Sequence, residues 1–125
     1  MKKDPRIYVV QILESAQMIL NYTIDGKEFF LAQKVVQHAV LWNFEVMGEA
    51  AKRVPDEYRQ RYPEIPWRMM AAFRDVLIHN YEGIDLIHVW EIIETEIPRL
   101  CENIREILPP LDRLEADLTN LTQPD

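Results

Sequence analysis

The chain has 125 residues, 48% hydrophobic and 28% charged, with 14 Lys or Arg against 21 Asp or Glu for a net charge of −7. That length and balance fit one domain with a real core, and they exclude a disordered or collagen-like chain. The acidic total argues against a general nucleic-acid binder, and a lone cysteine, Cys101, excludes both a disulfide scaffold and a paired-thiol zinc site. A single thiol suits a reducing compartment, and Lys2-Lys3 leads into Asp4-Pro5-Arg6 rather than an apolar run, so a soluble cytoplasmic protein is expected. The most apolar stretch, Phe29 to Ala51, is interrupted by Lys34, His38, Glu45 and Glu49, which speaks against a membrane span.

In chain order the segments between prolines and glycines read as helices. Asp4-Pro5 is a start signal, an N-cap carboxylate followed by a proline whose missing N–H costs nothing at the first helical position. Ile7, Val10, Leu13 and Ile19-Leu20 then recur at helical spacing until the run stops between Asn21 and Gly26. A second helix is predicted over roughly Glu28 to Arg53. It is apolar on more than one side, as a central helix packed by several neighbours would be. Pro55 to Pro63 allows at most two turns. Pro66 opens a third long helix through Trp67, Met70, Phe73 and Leu77, Gly83 marks a turn, and Asp85 is placed to cap the next helix. From Leu86 to Leu121 apolar residues alternate at spacings of four and three, one stripe along a helix. Pro98 is expected to kink that helix and Pro109-Pro110 to break it, leaving a short final helix over Leu111 to Leu121 whose apolar side faces either the core or a partner. No stretch alternates with period two over strand length. The reading is an all-α, up-and-down bundle of four or five helices, with a helical domain over residues 1–110 and a short helix and tail over 111–125.

Charge is unevenly spread. Residues 52–74 carry six basic side chains against three acids, whereas residues 82–125 carry three Arg against eleven acids. A focused basic site inside an acidic shell is compatible with that distribution, as is plain solvated helix surface.

The chemistry-bearing segment is Arg68 to Ile84, where Arg74, Asp75, His79, Asn80 and Tyr81 fall within eight residues. On a continuous helix at ~100° per residue Arg74 and Tyr81 share a face, while His79 points ~140° away from Arg74. The Gly83 stop predicts fraying by Asn80, which sets His79 and Tyr81 at a helix C-terminus, free to turn toward Arg74. That terminus also favours a protonated imidazole. Arg plus His without a metal cluster suits RNA phosphodiester cleavage, with the imidazole moving protons and the guanidinium holding the phosphate. Acid–base work wants two such groups, and a symmetric dimer would supply the second copy.

Arg74-x-x-x-x-His79-x-Tyr81 resembles the signature of the HEPN superfamily, specifically the HepT-like toxins of type VII toxin–antitoxin pairs. Asn43 to Lys52 resembles that family's Gly-Glu-Ala block, through Gly48-Glu49-Ala50. Pro63-x-x-Pro66-Trp67, Gly83-Ile84-Asp85 and Val89-Trp90 also match, so the likeness spans roughly residues 5 to 108. The resemblance implies a homodimeric, metal-independent endoribonuclease with two motifs meeting at the interface and no cofactor. Arg74 and His79 become the catalytic pair, Asp75 and Asn80 supporting residues, and Tyr81 the tyrosine to which a cognate minimal nucleotidyltransferase antitoxin transfers AMP. The implied partners are an RNA substrate and that antitoxin, with no DNA and no membrane.

Other side chains have blander readings. Glu45 and Glu49 lie four apart on one face but lack the further Glu and His of a carboxylate-bridged metal site. Glu49 is expected instead to pair with an Arg near the site, Arg74 being the candidate. His38 and His88 are expected as hydrogen-bonded core or interface residues, Cys101 as a small buried hydrophobe. Trp42, Trp67 and Trp90 read as core or interface, with Trp67 alone near enough to the motif to stack on a base. A second functional class stays open, a non-catalytic helical module that partners a nucleotidyltransferase. His79→Ala separates the two.

Overall fold

The computed structural model describes residues 3–122, leaving aside the side chains of Leu111 and of residues 120–122. It contains seven α-helices and, among the described residues, no strand: α1 Pro5–Tyr22, α2 Lys27–Ala32, α3 Lys34–Arg53, α4 Asp56–Arg61, α5 Trp67–His79, α6 Leu86–Ile107 and α7 Leu111–Thr122. No helix among these residues is long and apolar enough to cross a membrane.

Local chemistry sets most of the boundaries. The Asp4 carboxylate accepts a hydrogen bond from the backbone N–H of Arg6 at 2.9 Å, with Pro5 opening α1 as expected. The Arg6 guanidinium holds the Asp4 carboxyl below the usual carboxylate range. At the other end the Thr23 hydroxyl donates to the Ile19 carbonyl at 2.7 Å, closing α1 in a buried position. Gly26 then takes φ +97°, a left-handed conformation that admits glycine at little cost and turns the chain into α2. Asp85 caps α6 by accepting from the N–H groups of Ile87 and His88 at 3.0 and 3.3 Å.

One expectation about helix continuity changes. The helix predicted over Glu28 to Arg53 is two helices, separated at Gln33, whose backbone is extended (φ −113°, ψ 103°). The Gln37 side-chain amide donates to the Phe30 and Leu31 carbonyls at 3.0 and 3.1 Å, satisfying groups that a helix end leaves open. The break lets Phe30 bury completely, 5.7 Å from the ring of Trp90 on α6. Pro98 lies inside α6, which continues to Ile107. Pro98 and Glu94, whose carbonyl loses its helical donor there, both lie on the exposed side, so the missing bond leaves no buried polar group.

The core has α3 at its centre, packed on α1 along one side and α5 along the other, while α6 closes against α1 and α2. Val9, Ile12, Ala16 and Ile19 of α1 meet Val40, Phe44, Met47 and Ala51 of α3, and Ile93, Ile97, Leu100 and Ile104 of α6 complete the cluster. Cys101 is buried in it, and burial pushes its thiol pKa up, as a structural cysteine requires. After Pro109-Pro110 the last helix lies on the bundle. Leu114 is buried, and Asp117 pairs with Arg6 at 3.0 Å, tying α7 to the start of α1. The part of the apolar stripe at Leu121 lies outside the described side chains.

Candidate functional site

One close approach positions the site. A Cβ on Gly48 of α3 would lie 2.6 Å from the Met70 carbonyl oxygen and closer still to Arg74 Cβ, so the two helices touch there through a bare backbone. That contact brings the next residue, Glu49, against Arg74 of α5. Arg74 Nε lies 2.9 Å from Glu49 Oε2, the pairing expected from the sequence.

The pair belongs to a chain of alternating charge. Glu49 Oε1 also meets Arg53 Nη2 at 3.3 Å, one helical turn on. Arg74 Nη1 donates to Asp75 Oδ1 at 3.3 Å, and the same oxygen accepts from Lys52 Nζ at 2.6 Å. The Lys52 ammonium, then Arg74, hold the Asp75 carboxyl below the usual carboxylate range. Three cations thus face two carboxylates, and the cluster keeps a surplus of positive charge within a protein of net charge −7. Arg74 Nη2 has no hydrogen-bond partner among the described residues.

His79 is the last residue of α5. Its Nδ1 lies 2.8 Å from the Asp75 carbonyl oxygen, one turn back. A carbonyl only accepts, so Nδ1 carries the proton and Nε2 of the neutral ring holds the lone pair. The ring is on the surface with that nitrogen unoccupied, the tautomer a general base needs. Asn80 ends the helix and Tyr81–Gly83 form one 3-10 turn. The Asn80 side chain packs over Gly83, where a Cβ would lie 2.6 Å from its Oδ1.

The helix does fray at Asn80, but neither His79 nor Tyr81 turns to Arg74: no hydrogen bond or ring contact joins either to it among the described residues. His79 is held by its own helix. Tyr81, 42% exposed, sits instead beside His38 of α3, with ring centroids 6.1 Å apart. His38 is exposed, contrary to a core placement, and stands at the motif. The sequence signal was available, because His38, Trp42, Glu45, Glu49 and Arg53 recur every three or four residues along one face of α3. Arg53 was likewise missed although it lies one turn from Glu49 on that face, and Lys52 was missed because its partner Asp75 sits on another helix and leaves no local pattern.

Trp42, Glu45, Glu49, Arg53, Arg74 and Ile78 line an open cleft of about 310 Å³. Trp42 is 63% exposed there. Trp67 is buried with its indole N–H donating to the Tyr62 carbonyl at 3.0 Å, so it is core and offers no stacking face. His88 is exposed too, not core, with Nδ1 3.5 Å from Glu91. Among the described residues no three His, Cys, Asp or Glu side chains gather as a metal site would require.

The family model described as "Ribonuclease HepT-like" matches residues 12–107 of this chain. The chain belongs to the HepT-like ribonuclease family, within the HEPN superfamily. The matched span holds the whole Glu49–Arg74–His79 arrangement of this HepT-like protein. It is similar, at 44% identity over 97% of its length, to a Methanocaldococcus jannaschii protein named "Gamma-glutamylcyclotransferase and putative RNase", of which it spans only 55%. A "Putative RNase" of the same organism is 38% identical over 89% of this chain and 93% of its own. The "Probable ribonuclease HepT" of Thermococcus cleftensis is 40% identical over 80% of this chain and 92% of its own. No solved structure matches the chain.

Proposed function

We propose that this HepT-like protein is a metal-independent endoribonuclease toxin that works as a homodimer and is silenced by AMP transfer to Tyr81. The observation that carries the reading is Arg74: an anchored guanidinium with one edge still open, at the cleft, five residues before an imidazole in the base tautomer.

In the proposed reaction His79 Nε2 takes the proton of a ribose 2′-hydroxyl, and O2′ attacks the adjacent phosphorus. The bond from phosphorus to the 5′ oxygen breaks, and that oxygen receives a proton from the His79 of the second protomer. The products are a 2′,3′-cyclic phosphate and a free 5′-hydroxyl. Arg74 stabilises the charge that gathers on the non-bridging oxygens. Pairing of two protomers is supported by apolar side chains left on the site face, Val35 at 80%, Trp42 at 63% and Ile78 at 49% exposure. Tyr81 is accessible for AMP transfer by a minimal nucleotidyltransferase antitoxin. The phosphate it would gain adds negative charge and bulk beside the motif, in competition with RNA.

The test is expression of wild type, His79→Ala, Arg74→Ala and Tyr81→Phe in a bacterial host, alone and with the antitoxin. Growth and RNA integrity are followed, and the purified proteins are assayed in chelator. Cleavage by wild type and Tyr81→Phe only, with the antitoxin silencing the first and not the second, is the expected result. Soluble, harmless behaviour by all four would favour the non-catalytic binding module instead.

A further inference from the structure

Arg53 is shared by two openings. On one side it lines the cleft with Glu49 and Arg74. On the other it lines a larger groove of about 1070 Å³, formed by the start of α1, by α4 and by the junction of α6 with α7. That volume stands at the top of the range for ligand sites, about 300–1,000 Å³. Five basic side chains line the groove against three acidic ones, although the chain carries 21 acids to 14 Lys and Arg. Arg6 is occupied by Asp4 and Asp117, and Arg53 by Glu49. Lys3, Arg61 and Arg113 make no ion pair among the described residues, and all three are exposed; Glu57 and Glu106 are likewise unpaired there, so the unpaired charges keep a small positive excess. Tyr8 and Tyr62 lie half-buried along the same wall, presenting aromatic surface beside free cations.

Unpaired cations interleaved with aromatic rings are what a flexible polyanion with flat bases requires. Phosphates pair with the cations and bases stack on the rings, without demanding a particular sequence. A protein surface would leave the aromatic walls with less to do, and a small anion needs neither the length of the groove nor its link to the cleft. We propose that this groove is a strand-binding subsite, holding single-stranded RNA that passes from the Arg74 cleft over Arg53 and onto Arg61, Arg113 and Lys3. The inference rests on the ribonuclease reading and extends it to substrate class: long unpaired RNA, held away from the scissile bond.

The experiment uses the full chain carrying His79→Ala, so that RNA binds without being cut. Fluorescence anisotropy compares single-stranded RNAs of about 4 and about 16 nucleotides, the span of typical strand-binding sites. Adding Arg61→Ala with Arg113→Ala is expected to lower affinity for the long RNA about 10-fold. It should also reduce the slope of log affinity against log salt by about 1.4, from two lost phosphate contacts at ~0.7 each. The long-to-short preference should fall with it, while Arg99→Ala, at an exposed position of α6 outside the groove, should leave that preference intact. Unfolding curves confirm that the variants are folded. If both lengths lose affinity equally, or the long RNA loses none, the subsite is wrong while the cleft stands. If the parent binds neither RNA, the ribonuclease reading fails and the subsite with it.

Discussion

Arg74 and Asp4 show how differently two residues reach their partners. Asp4 acts within two residues, capping α1 and pairing with Arg6, so its role was readable as an Asp-Pro start. Replacing it with Ala is expected to cost about 1 kcal/mol in a urea titration at neutral pH. The folded-state pKa of Asp4 is depressed, so that stabilisation is present above the ordinary carboxylate pKa and lost as pH falls through the depressed one. The gap between wild type and Asp4→Ala should therefore close in acid. If it is as wide at pH 2 as at pH 7, the ionised cap is not its source. Arg74 instead depends on Glu49, twenty-five residues earlier, and only complementary chemistry hinted at the pair. Glu49→Gln keeps the shape but removes the charge that holds the guanidinium. With the fold unchanged, kcat/KM on RNA should drop by about 10–100-fold, since a small misplacement of a positioning group costs that much. An unchanged rate would mean that Glu49 does not position Arg74.

At the scale of elements, the contact of α3 with α5 decides whether a site exists. Gly48 is there because any side chain would strike Arg74 Cβ and the Met70 carbonyl. Gly48→Ala is expected to push the helices apart, costing about 1–3 kcal/mol in stability and lowering cleavage by more than the stability loss explains. Thermal unfolding with an activity assay well below the melting temperature separates the two effects, and a variant as stable and active as wild type would remove Gly48 from the account. The break at Gln33 belongs to this scale as well. Residues 28–53 show no proline or glycine before Gly48, so nothing local ends the helix. What ends it is a long-range trade, a buried Phe30 on Trp90 with Gln37 closing the freed carbonyls. Pro98 stays inside α6, on its exposed side, while the packing of Ile93, Ile97 and Leu100 continues past it.

For the molecule as a whole, the site face of α3 and α5 carries Val35, Trp42 and Ile78 beside charged Glu49 and Arg74, and one chain leaves it uncovered. The proposed pairing of two protomers predicts that Val35→Asp with Ile78→Asp, at exposed positions that cost the fold little, shifts sedimentation from dimer to monomer and abolishes cleavage. A variant still dimeric and active would place the interface elsewhere. The sequence by itself determined the all-helical class, the capped starts at Asp4 and Asp85, the stop at Asn80 and the motif from Arg74 to Tyr81. Each of these rests on neighbours within a turn or two, where spacing, proline and glycine act directly. Only the tertiary structure decided that His38 and His88 are exposed, that Trp67 is buried, that Lys52 reaches Asp75, and that His79 faces its own helix rather than Arg74. A 3.6-residue period tells which side chains share a face. Which helix covers that face is settled by packing between segments far apart in the chain.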